Sequence, residues 1–160
     1  MVVPRPLIEA NKVITLAADV FFVDGIAFLL MVARRKKFVT AEHVPIRTAI
    51  SLSKHLKRVL EVYRRAGFVV RTILMDGEFE KIKSLMPSVE CNTTAAMEHV
   101  SEVERTIRTV KERIRGLLAT LPFSHVPKRM KIEFVYFVIL WLNAFPVKLG
   151  ISQTILRGSC

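Results

Sequence analysis

The stretch VITLAADVFFVDGIAFLLMVA, Val13 to Ala33, decides the fold. It reads as two strands joined by Asp24-Gly25, because an Asp-Gly pair between β-rich apolar runs favours a two-residue hairpin turn. Both runs are apolar at nearly every position. A strand with one wet face alternates, whereas one covered on both faces does not, so this hairpin is expected inside a sheet flanked on both sides. Asp19 breaks the first run, between Ala18 and Val20. An unpaired carboxylate in apolar surroundings is strongly disfavoured. Asp19 therefore either caps a turn or pairs with an arginine, or it stands on a rigid strand to hold a cation.

Working outward, Arg34, Arg35, Lys36 and Lys37 form a basic turn, which is either a solvated loop or a phosphate contact. Phe38 to His43 reads as a third strand, ended by Pro45. Thr48 to Arg65 is a helix: Ile50, Leu52, Leu56, Val59, Leu60 and Tyr63 keep helical spacing. Thr48 or Ser51 caps its start, and Gly67 suits the position just past its end. Phe68 to Met75 is a further buried strand and runs into Asp76-Gly77. A carboxylate just beyond the C-terminal end of a strand is a frequent place for chemistry. A short helix over Glu78–Leu85 and a short strand over Val89–Asn92 follow. The longest helix pattern spans His99–Leu121, where Val100, Val103, Ile107, Val110, Ile114, Leu117 and Leu121 make one apolar stripe. Glu104 lies beside that stripe, with Arg108 and Lys111 on its own face. Pro122 ends this helix, and a last one covers Met130–Phe145. Residues 1–12, with Pro4 and Pro6, read as an irregular lead-in, residues 13–150 as one domain, and residues 151–160 as a short tail. A meander followed by helix-linked strands implies a mixed sheet with helices on both faces.

The chain of 160 residues is 51% hydrophobic, which suits a domain with a sizeable core. Lys and Arg number 25 against 14 Asp and Glu, a net charge of +11. Such an excess favours a polyanionic partner, nucleic acid ahead of a membrane surface. Cys91 and Cys160 lack metal-type spacing and point to a reducing compartment, nuclear or cytoplasmic. The first twelve residues, with Pro4, Pro6 and Glu9, do not read as a signal peptide. The apolar run Phe134–Val147 is fourteen residues long and contains Asn143 and Pro146. It falls short of the roughly twenty needed to span a bilayer and is expected as a buried core helix. His43, His55, His99 and His125 show no ligand spacing, and Tyr136, Phe137 and Trp141 read as core or as a partner surface.

Three stretches, taken together, resemble the catalytic core of retrotransposon integrases of the Ty1/copia type, in the ribonuclease H-like superfamily. TLAADVFFVDGIAFLLMVARRKKFV is similar to that family's first Asp strand, hairpin and third strand. VVRTILMDGEFE resembles its strand ending in Asp-Asn-Gly-Gly-Glu-Phe, one residue shorter here. VERTIRTVKERIRGLLATLP resembles its helix beginning Glu-Arg-x-x-Arg-Thr. The resemblance implies a ribonuclease H-like α/β fold: a mixed five-stranded sheet, antiparallel meander plus parallel strands, flanked by helices. It implies that Asp19, Asp76 and Glu104 are catalytic and bind Mg²⁺ or Mn²⁺ in a two-metal site for DNA 3′-processing and strand transfer. Hard oxygen ligands suit those cations, and paired ions serve in-line phosphoryl transfer. Glu102 is the rival for the third position. DNA is the implied partner, met by Arg34, Arg35, Lys36, Lys37, Arg105, Arg108 and Lys111, with a homo-oligomer expected and no membrane. The sequence also departs from the pattern. Twenty-seven residues separate Asp76 from Glu104, fewer than the family's usual spacing. The Asn after the second Asp is missing, and CNTTAAMEHVSE replaces the Pro- and Asn-containing loop before the Glu. The departures keep other readings open: a truncated or decayed DNA-binding derivative, a metal-dependent nuclease of the same fold, and a structural or dimerisation module.

Overall fold

The structure, a computed structural model, describes Pro6, Glu9 and residues 12–92 and 96–145, without the side chains of Glu78 and residues 96–101. Most of the lead-in, the tail over 151–160 with Cys160, and Pro146 lie outside the described residues, as do the side chains of His99 and Val100. The strands are β1 (Val13–Val23), β2 (Ile26–Ala33), β3 (Val39–His43), β4 (Val69–Met75) and β5 (Glu90–Asn92). The helices are α1 (Ala49–Arg65), α2 (Glu80–Lys83), α3 (Ala96–Ala119) and α4 (Lys128–Ala144), and a 3-10 turn over Gly77–Phe79 precedes α2. The sheet order is β3-β2-β1-β4-β5. β1 is antiparallel to β2 and parallel to β4.

The hairpin forms as its turn residues require. Val23 pairs with Ile26, and Asp24 and Gly25 carry φ of 46° and 76°. Positive φ at both central positions is the type I′ geometry, whose twist matches that of the flanking strands. All eight residues of β2 are buried. On β1, Ile14, Leu16 and Ala18 join one core, while Ala17, Phe21 and Val23 join the other. The first core is completed by Leu56, Val59 and Tyr63 of α1 and by Phe79, Ile82 and Met86. The second is completed by Val103, Ile107, Val110 and Ile114 of α3 and by Val135, Val138 and Ile139 of α4. The result is a three-layer α/β/α arrangement in which β1 and β2 are covered on both faces.

α1 starts at Thr48, whose side chain accepts the Ser51 N–H at 3.2 Å. It ends in a Schellman motif: Phe68 N–H donates to Tyr63 O at 3.0 Å and Gly67 N–H to Arg64 O at 3.0 Å, with Gly67 at φ 87°. Ile50, expected on its buried stripe, is 74% exposed, because it sits in the first turn before the helix reaches the sheet.

α4 is a correction to the expected core helix. Val135, Val138 and Ile139 are buried, but Phe137, Leu140, Trp141 and Phe145 stand exposed. Its sequence is apolar on all sides, so periodicity cannot say which face meets the sheet. Trp141 stacks on Phe145 with centroids 4.9 Å apart. No helix among the described residues is long and apolar enough to cross a membrane. Across the sheet edge, the Asn143 side chain accepts the Val39 N–H at 2.8 Å and donates to the Val39 carbonyl at 2.7 Å. Tyr136 Oη accepts the His43 N–H at 3.1 Å.

Candidate functional site

The parallel register of β1 and β4 ends at Ala18 opposite Met75. The next position on each strand is an aspartate, Asp19 and Asp76. Neighbouring strands lie about 4.8 Å apart, so the two carboxylates start from adjacent backbone positions. Strand alternation sets Asp19 with Ala17 and Phe21, and Asp76 continues from Leu74. Both therefore belong to the sheet face covered by α3. β1 runs on for four residues beyond Asp19 with β2 still paired, while β4 has ended. The aspartates thus stand at the carboxyl end of β4, the kind of place where open α/β sheets bind ligands.

Local geometry fixes both groups. Asp19 Oδ1 accepts the Val20 N–H at 2.7 Å on a half-buried strand position. Asp76 is exposed, and its Oδ1 accepts the Gly77 N–H at 2.6 Å, capping the 3-10 turn. That turn is held by Phe79 N–H donating to Asp76 O at 3.0 Å and by burial of Phe79.

Glu104 lies on α3 beside the buried stripe, as its spacing predicts, but its side chain is exposed. Among the described residues no three His, Cys, Asp or Glu are grouped so as to hold a metal ion, and Asp19, Asp76 and Glu104 are all described. The donor chemistry of the two aspartates suits a hard divalent cation. Glu102 goes elsewhere: it hydrogen-bonds Lys37 Nζ and lies 3.6 Å from Arg34 Nε. The signal for this was present in the sequence, since Glu102 and Glu104 straddle the buried Val103 and must leave the stripe on opposite sides.

Arg105 and Arg108 are exposed on α3, and Lys111 is half-buried. The basic turn between β2 and β3 is tighter than a solvated loop. Ala33 O accepts N–H groups from both Lys36 (3.1 Å) and Lys37 (2.7 Å), and Lys37 adopts φ 54°. Lys36 Nζ lies 5.5 Å from the centroid of the Phe68 ring, and burial pushes its ammonium pKa down.

The mixed five-stranded sheet with helices on both faces is the ribonuclease H-like fold of integrase catalytic cores. In particular, the chain is similar to the crystal structure of the catalytic core domain of BIV integrase, with TM-score 0.63 and 13% identity over 93% of this chain and 95% of that one. No family model matches the sequence, and no curated protein matches it either.

Proposed function

We propose that this chain is an integrase-like core of the polynucleotidyl transferase type, acting on DNA, of the Ty1/copia kind that its sequence resembles. The observation that carries the reading is the placement of Asp19 and Asp76 side by side where β4 leaves β1, in a fold shared with an integrase core. In this reading the two aspartates bind Mg²⁺ or Mn²⁺, which would supply charge neutralisation at a phosphodiester. Arg105, Arg108 and Lys111 of α3 contact the DNA backbone, and the exposed apolar face of α4 joins copies in a homo-oligomer. Glu104, exposed on α3, would be the third ligand. A nuclear or cytoplasmic setting fits the free Cys91 thiol.

Melting with and without Mn²⁺ tests the pair. A ligand that binds the native state alone raises the melting temperature, and Asp19→Asn should erase the rise. An equal response in the wild type and the variant removes Asp19 as a ligand. A second reading, a DNA-binding derivative that no longer cleaves, is favoured by the incomplete carboxylate group. It predicts DNA affinity that falls steeply with salt, with no Mn²⁺-dependent nicking.

A further inference from the structure

Glu9, the start of β1, the β2–β3 turn and Glu102 of α3 border a half-open cleft of about 680 Å³. It lies at the end of β1 away from the aspartates: Arg34 N–H donates to Thr15 O, and Thr15 precedes Asp19 by four residues, about 13 Å at ~3.3 Å per residue. Five cations line the cleft, Lys12 and Arg34 to Lys37, against the carboxylates of Glu9 and Glu102. Backbone bonds fix the cationic side. Val69 N–H donates to Lys12 O at 2.7 Å, and the two N–H groups on Ala33 O hold the turn closed. The tight turn, with Lys37 at positive φ, keeps Arg34 to Lys37 along the cleft.

We propose that this cleft is a binding site for a compact polyphosphate, a chain of linked phosphates either free or carried by a nucleotide. The volume falls in the range of small-ligand sites. Lysine and arginine are the donors for phosphate oxygens, and an excess of three positive charges remains after both carboxylates are counted. Glu102 is the built-in competitor. It occupies Lys37 and Arg34 in the structure, so an entering phosphate takes those two donors from it. The site goes beyond the proposed DNA chemistry and does not depend on the aspartates.

Calorimetric titration of inorganic tripolyphosphate into the full chain, without divalent cation, tests it. Saturable one-to-one binding is expected. The double variant Arg34→Gln/Lys37→Asn, in which Asn tolerates the positive φ, should weaken binding about tenfold or more through loss of charge-assisted contacts. Glu102→Gln should tighten it severalfold by releasing the same donors. Lys36→Gln, which leaves both ion pairs intact, should also weaken it. ATP run alongside identifies the source: tighter binding than tripolyphosphate assigns a nucleotide, and equal binding a free polyphosphate. Unchanged affinity in the double variant overturns the site. So does an equal loss in Arg108→Gln/Lys111→Gln, which would mean diffuse charge. Displacement of tripolyphosphate by short duplex DNA would make the turn part of a nucleic-acid track instead.

Discussion

The two ends of β1 carry opposite charge and are held in different ways. Near its carboxyl end, Asp19 and Asp76 each take the N–H of the very next residue. Near its amino end, Glu102 reaches across 65 positions to Lys37, and Lys36 lies over the Phe68 ring. At Asp76 the contact with its sequence neighbour fixes the carboxylate's direction within a single turn. Contacts between distant elements tie α3 to the sheet. The basic end therefore takes part in holding α3 to the sheet, whereas Asp76 is set by the turn that it caps.

Substitutions at the two ends should therefore separate activity from stability. The largest effect is expected at the acidic end. Asp19→Asn or Asp76→Asn should lower any Mn²⁺-dependent nicking of labelled duplex DNA by on the order of a hundredfold or more, the scale for losing a group that stabilises transition-state charge. The Asp76→Asn protein should nonetheless melt within about 0.5 kcal/mol of wild type, since Asn caps as well as Asp. Nicking that survives both substitutions would remove the two aspartates from the chemistry.

Next in size is Asn143, which anchors Val39 just after the basic turn. Asn143→Ala should cost about 1–3 kcal/mol in urea unfolding, because both backbone groups of Val39 lose their partner. Glu102→Gln should cost less, up to about 1 kcal/mol, since its partners are partly exposed. A larger loss for Asp76→Asn than for Asn143→Ala would reverse the assignment of roles.

The smallest effect concerns pH. Burial, with Lys128 and His55 nearby, holds His43 below its ordinary 6.5. The unfolded chain then takes up the proton first as pH falls. Stability from the neutral ring is fully present above about 6.5 and is lost as pH drops from there through the lower folded value. His43→Gln should flatten this slope in melts between pH 7.5 and 5. An unchanged slope would assign it to other groups.

Much of the architecture was legible in the sequence because it is locally encoded. Asp24-Gly25 specifies its turn, continuous apolar runs specify strands covered on both faces, and Thr48 and Gly67 bracket α1. Asp19 stood out because a carboxylate in such a run has few alternatives, and Asp76 because a strand stops there. Their adjacency is a matter of register, which only the fold supplies. The grouping of Glu104 with them was read from resemblance, and the placement of α3 leaves it exposed. The face of α4 was illegible for a different reason: a helix apolar all round carries no rotational signal. The cleft was hidden too, because its walls come from β1, the β2–β3 turn and α3.

The bonds from Asn143 and Tyr136 to β3 also bear on how the chain is made. β3 is an outer strand of the sheet, and an open outer strand is a template on which another chain can pair. Here side chains of α4 stand in for a sixth strand. The protecting asparagine follows Val39 by 104 residues. At ~5–20 residues per second of synthesis, the edge stays uncovered for roughly 5 to 20 s after β3 is made. The nascent chain passes through a window in which its most apolar hairpin is already available and its guard has not yet been translated. Aggregation during expression, more than loss of the finished fold, is where damage to α4 should first be felt.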